Sequence, residues 1–223
     1  MTFPCDLNDF VMRECEVIDT HLERLQQCPS KLVLDIGYGD GRTVAYFLAQ
    51  GFHVKAVDIH GPSEAQLRVN LKTAAISDAN LKCEVCDLKD YPFEPSAFAV
   101  VVLSHVLHFV QEDDAQISLA RAATSVAPNG QILIRAHHES HPLKHDEQRN
   151  QGIFRHFFSK QEIEMHFQQN FRLLHSADLF GMVSPKDIKR IIAYHHDNNL
   201  GEPEEWMLNE HWRDVEYLYQ RIS

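Results

Sequence analysis

A chain of 223 residues, 44% hydrophobic and 24% charged, has the composition of a soluble globular domain with a sizeable core. Its formal charge of −11 repels phosphate backbones, and basic residues cluster only briefly, at 186–190 and at the ends of 142–160, so a long nucleic-acid substrate is disfavoured. No uninterrupted apolar run of about 18 residues offers a membrane span, the opening MTFPCDLNDF lacks the order of a secretory signal, and the odd count of five cysteines favours free thiols; a cytoplasmic location is expected.

A leading helix is predicted over 6–27, with Phe10, Val11, Ile18, Leu22 and Leu25 at three- and four-residue spacing. Short apolar runs then alternate with helical patterns. The runs are Leu32–Ile36, His53–Asp58, Leu81–Cys86, Phe98–Ser104 and Gln131–Ala136; the helices are 41–50, 63–77 and 113–126. Strand–helix–strand repetition implies a doubly wound, mostly parallel sheet covered on both faces. The run Phe98-Ala-Val-Val-Val-Leu-Ser104 reads as a central strand, and Pro128-Asn129-Gly130 as the turn into the fifth.

Residues 137–152 lack periodicity and read as a long loop. A helix start follows, marked by a capping box of Ser159 with Glu162 and a hydrophobic staple from Phe158 to Ile163. Phe171–Leu179 is expected as the sixth strand. Ser184-Pro185 could start a helix, yet Ile191-Ile192-Ala193-Tyr194 suits a seventh strand antiparallel to the sixth, which we prefer over 189–195. The tail 203–221 carries Leu208, Trp212, Val215 and Tyr219 on one helical face, a C-terminal helix and a possible homodimer surface. With no linker or repeat, one domain over 1–223 is expected: leading helix 1–30, cofactor-binding half 31–136, substrate-side half 137–200 and C-terminal helix 201–223.

The sharpest local signal is VLDIGYGDGRT at 33–43, three alternate glycines opening a helix behind the first strand. Glycine there lets a nucleotide-like ligand approach the backbone. A dinucleotide fingerprint needs a glycine at position 42; Arg42 stands there, and Gly41 falls one place early. Asp35 and Asp40 beside the glycines suit a ligand carrying an amino group.

These residues resemble the first motif of class I S-adenosylmethionine-dependent methyltransferases, Asp-x-Gly-x-Gly-x-Gly, met here by Asp35, Gly37, Gly39 and Gly41. Val54-Lys-Ala-Val57-Asp58-Ile59 is similar to the second motif, Cys86-Asp87-Leu88 falls at the third, and Leu103-Ser104-His105 at the fourth. Pro128-Asn129-Gly130 resembles the Pro-Gly-Gly turn into strand five, with Asn129 departing. The resemblance covers 30–136 well and 159–195 more loosely. It implies a Rossmann-like methyltransferase fold with an antiparallel last strand, here with a C-terminal helical extension, and S-adenosylmethionine as cofactor with S-adenosylhomocysteine as product. By the same resemblance Asp58 takes the ribose hydroxyls, Asp87 the adenine amino group, and Asp35 and Ser104 flank the methionine end; Ile59 and Leu88 would sandwich the adenine. Asp35 bonding its own loop amides, and Asp58 capping a turn, are the plain alternatives.

Methyl transfer from a sulfonium is an in-line displacement that needs a base only if the acceptor must lose a proton. His105 and His108, just past the fourth strand, are the candidate catalytic residues, against a reading in which they only pack. Arg155 is a candidate for an acceptor carboxylate. No Asn/Asp-Pro-Pro-Tyr or Pro-Cys follows the fourth strand, which disfavours nucleobase chemistry. The histidines at 137, 138, 141 and 145 lack fixed ligand spacing, so no metal site is expected. The expectation is methyl transfer to O, N or S of a small molecule; a non-enzymatic binding module and a nicotinamide-dependent oxidoreductase are the alternatives.

Overall fold

The computed structural model describes residues 13–59, 62–182, 185–197, 201–203, 207–208 and 211–222. Its strands are β1 (Leu32–Ile36), β2 (His53–Asp58), β3 (Leu81–Val85), β4 (Phe98–Ser104), β5 (Val126–His137), β6 (Phe171–Met182) and β7 (His211–Arg221). They form one seven-stranded sheet ordered β3-β2-β1-β4-β5-β7-β6. The pairings among β1 to β5 are parallel, and β7 runs antiparallel between β5 and β6. The chain order reverses between β1 and β4, the place where open α/β sheets bind ligands beyond their carboxyl ends.

The helices are α1 (Arg13–Asp19), α2 (Arg42–Ala49), α3 (Pro62–Thr73), α4 (Glu112–Ser125), α5 (Glu147–Asn150), α6 (Lys160–Glu164) and α7 (Pro185–Asp197). Two apolar clusters cover the sheet. Val33, Val100, Val102, Leu133 and Leu218 pack with Val44 and Phe47 of α2 and Leu67 of α3. Leu34, Val101, Leu103, Ile134 and Val215 pack with Leu119 of α4 and Phe158. Adjacent strand residues enter opposite clusters, which is why β4 is apolar without alternation.

Three expectations need correction. The tail is a strand from 211, not a helix. Residues four apart share a face in both conformations, so Val215 and Tyr219 fit either; Tyr217, buried beside them, reveals the two-residue period. From Val215 to Gln220 β7 is buried within the sheet, so Val215 and Tyr219 of the predicted dimer stripe are interior. Residues 189–195 lie in a helix, α7, which Pro185 begins at a position where its missing N–H costs nothing. The place beside β6 is taken by β7 instead. The leading helix is also shorter: after α1 the chain turns at Thr20, whose hydroxyl donates to the Val17 carbonyl, and continues as a 3-10 segment Leu22–Gln27. Phe10 and Val11 lie outside the described residues.

Smaller features hold closely. The capping box forms: Ser159 Oγ accepts from the Glu162 amide, and Glu162 accepts from the Ser159 amide at 2.6 Å. Pro128-Asn129-Gly130 is an irregularity within β5, not a turn before it. A Cβ on Gly130 would meet backbone oxygens of Ala99, Ala127 and Phe98 at 2.8–2.9 Å, so close strand approach demands glycine. The loop after β5 contains a 3-10 turn, Pro142–His145, and α5.

Candidate active site

The glycine loop joins β1 to α2 at the sheet's switch point. Gly37, Gly39 and Gly41 have φ of 74°, 51° and 79°, a region where a Cβ is costly. The structure also separates their roles. A Cβ at Gly37 would strike Val106 at 2.9 Å, and one at Gly41 would strike Leu67. At Gly39 the nearest atom is 4.0 Å away, so its bare face borders open space where a ligand can seat.

Two carboxylates frame this cradle. Asp35, at the end of β1, is 3% exposed. Asp58, at the end of β2, is 9% exposed, and its Oδ2 accepts the Gly39 amide at 3.1 Å. Asp58 therefore ties the loop to the second strand. Asp40 is different: it pairs with Arg42 at 2.8 Å, so its charge is locally balanced. Ile59 follows Asp58 and is 58% exposed, an apolar surface beside the cradle.

Past β3, Asp87 caps the short 3-10 segment Leu88–Asp90 by accepting from the Lys89 amide. Leu88 itself is buried in the core. Ser104 ends β4, half-buried, in register with Arg135 of β5. The strand pairing runs one residue further, because the His105 amide donates to the Arg135 carbonyl at 2.9 Å.

That pairing brings the histidines that follow β4 beside β5. His108 is buried and its ring stacks on His137 at 3.8 Å between centroids; His105 lies 5.7 Å from both rings. Asp214 of β7, itself buried, accepts from His137 Nδ1 at 2.7 Å, with His105 Nε2 and Arg135 Nε each 3.5 Å from it. Burial, reinforced by the neighbouring histidines, holds the His108 and His137 imidazoles well below the usual range, and burial lowers His141 to about 4. All three are neutral near pH 7. Arg155 is exposed, and its amide donates to the His108 carbonyl at 2.7 Å.

Sequence reasoning missed His137 and Asp214 as members of this group. They are 77 residues apart, and only the strand pairing of β5 with β7 sets them opposite one another. A strand reading of 211–221 was the one signal that could have found them. Of the histidines that cluster in sequence, His137 and His141 come together with rings 4.4 Å apart, whereas His138 turns to Ser140 and His145 is exposed.

Residues 33–130 match the family model of a methyltransferase domain. Over that segment the chain is similar to a methyltransferase domain. No protein of curated function matches the sequence. Among solved structures, TehB from Haemophilus influenzae superposes with a TM-score of 0.65 at 17% identity, over 92% of this chain and 61% of its own. The chain thus spans about three fifths of TehB. YcgJ from Bacillus subtilis gives 0.61 at 13% identity, over 93% and 99% of the two chains. A Burkholderia thailandensis 1,6-didemethyltoxoflavin-N1-methyltransferase, solved with 1,6-didemethyltoxoflavin and S-adenosylhomocysteine, gives 0.61 at 16% identity, over 96% and 79%. At these identities the likeness is one of fold. The seven-stranded order, with β7 between β5 and β6, extends that likeness beyond the matched segment.

Proposed function

We propose that the chain transfers a methyl group from S-adenosylmethionine to an O, N or S atom of a small-molecule acceptor. The observation that carries this reading is the bare, positive-φ face of Gly39 held between Asp35 and Asp58 at the switch point of a methyltransferase domain. The donor set suits the cofactor: buried Asp35 for its ammonium, Asp58 for the ribose diol, and exposed Ile59 for one adenine face. Asp87, Leu88 and Ser104 complete the expected contacts. Leu88 does so from beneath the surface, as a floor under the base.

When bound, the cofactor supplies an electrophilic methyl on a sulfonium. The chain's part is to align an acceptor in line with it and to exclude water, and alignment of this kind supplies much of the rate. The acceptor arrives beyond the carboxyl end of β4. His105, with its side chain 34% exposed, is the member of the histidine group that can touch it; His108 backs it from within. Arg155, exposed beside His108, is assigned to an acceptor carboxylate.

Among the described residues no helix is long and apolar enough to cross a membrane. The charge of −11 supports a small-molecule acceptor over nucleic acid, and the free thiols of Cys28, Cys83 and Cys86 support a cytoplasmic setting.

Calorimetry with S-adenosylhomocysteine tests the cofactor site. Asp58→Ala is expected to weaken binding at least about tenfold, near 1.4 kcal/mol. Unchanged affinity in a folded variant would sink the assignment. Labelled methyl transfer into a metabolite extract then separates an enzyme from a binding module.

A further inference from the structure

Three imidazoles from two separate stretches of chain meet at the carboxyl ends of β4 and β5. His105, His108 and His137 can each offer one ring nitrogen such that all three lie within 4.8 Å of one another. We propose that they bind one zinc-class divalent ion, with Asp214 orienting His137 and one coordination position left open toward the acceptor side.

The partners of these rings favour that assignment. His137 Nδ1 is held by the Asp214 carboxylate at 2.7 Å, which commits the proton to Nδ1 and the lone pair to Nε2. A histidine whose other nitrogen donates to a carboxylate is the recurrent arrangement of a metal ligand. His108 is 1% exposed, and among the described residues its Nδ1 has no hydrogen-bond partner. Burying such an atom unsatisfied is costly, and a metal bond would offset that cost. His105 sits at φ 57°, an uncommon conformation for a residue with a Cβ, and such strain gathers at functional sites. Its partial exposure provides the entry path.

The donor set also selects the ion. Imidazole nitrogens suit zinc, copper or nickel, whereas magnesium and calcium prefer oxygen. Three histidines with a fourth position open is the ligand count of a catalytic zinc site rather than a structural one. His141 is excluded although its ring lies 4.4 Å from that of His137: its Nδ1 accepts the Leu143 amide, so in the neutral ring Nε2 carries the proton. Arg135, 3.5 Å from Asp214, shares the carboxylate and opposes the incoming charge, so the site depends on Asp214 staying ionised.

Closure has a definite requirement. Tetrahedral zinc–nitrogen bonds place ligand nitrogens about 3.4 Å apart, so the widest separation must shrink by about 1.4 Å. The His108 and His137 rings lie nearly parallel, 7° apart, and one must tilt out of the stack as the ion enters. An ion held there would lower the pKa of a coordinated acceptor hydroxyl or thiol. That role rests on the methyltransferase reading; the binding site does not.

The test is a titration of chelator-stripped full-length protein. Cobalt(II) should develop visible d–d bands, and zinc should bind by calorimetry at one ion per chain. His105→Ala, at a partly exposed position, should weaken zinc at least about tenfold, and Asp214→Asn by about 10–100-fold. His145→Gln, in the exposed loop, should leave affinity unchanged. Near-UV circular dichroism identifies variants that have unfolded, and His105→Ala is the decisive one if Asp214→Asn fails. No stoichiometric zinc binding by the wild type, or equal affinity in folded His105→Ala, overturns the proposal. S-adenosylhomocysteine affinity is measured on the same samples. Retained affinity without zinc binding removes the metal site alone, and zinc binding without S-adenosylhomocysteine affinity removes only the methyltransferase reading.

Discussion

Gly39→Ala places one methyl in the space assigned to the cofactor and disturbs little else. The protein offers that methyl no clash, since the nearest atom to the new Cβ is 4.0 Å away. What remains is the backbone conformation at φ 51°, which costs a residue with a Cβ about 1–2 kcal/mol. For a chain of this length each kcal/mol lowers the melting temperature by about 2–4 °C, so a fall of roughly 2–8 °C is expected. Cofactor affinity should drop far more, at least about 100-fold or 2.7 kcal/mol, because the added carbon stands where the ligand must approach the backbone. Thermal melts paired with S-adenosylhomocysteine calorimetry separate the two effects. Gly130→Ala is the contrasting case. Its Cβ would meet three backbone oxygens at 2.8–2.9 Å, which cannot yield as side chains do. Overpacking of that kind costs about 1–3 kcal/mol or more, with affinity retained by the folded fraction. A folded Gly39→Ala protein that binds S-adenosylhomocysteine within about threefold of wild type would refute the placement of the cofactor.

Three further outcomes are expected. Tyr217→Ala, which removes a buried ring stacked on Tyr219, should cost about 3 kcal/mol or more in urea melts; a loss below about 1 kcal/mol would contradict the strand at 211–221. In urea melts Ser159→Ala should cost about 1 kcal/mol by opening the capping box, whereas Glu162→Gln, whose amide oxygen can still accept the Ser159 amide, should cost less. His166 is lowered by burial, with its Nε2 at 2.7 Å from Gln116 Oε1. Its folded pKa lies below the unfolded 6.5, so the unfolded chain binds more protons as pH falls, and stability present above about 6.5 is lost below it. His166→Gln should flatten the part of the stability profile between pH 7 and 5 due to this residue; an unaltered slope would count against it.

The part of the chain up to β5 was legible because its signals are local. Alternating apolar runs and helical periods give β1 to β5 and α2 to α4 nearly in place, and the glycine spacing marks the loop whose φ angles prove positive. The substrate half was legible only in part. Ile188, Ile191 and Ile192 fit helical spacing, yet the short β-branched run around them resembles a strand. Val215 and Tyr219 fit helix and strand alike. In such segments the choice falls to whichever partner is available, and β5 and β6 leave between them a slot that only an extended chain fills.

By itself the sequence determined the periodicities that make an α/β sheet, the glycines that allow the positive-φ first turn, and the carboxylates at the ends of the first two strands. These follow from steric and hydrophobic rules acting over a few residues. Tertiary structure alone decided that β7 enters the sheet and carries Asp214 to His137, and that His105 and His108 join them while His138 and His145 do not. The physical reason is that a strand pairing depends on a partner's position in space, so spacing along the chain holds no trace of contacts made across 77 residues.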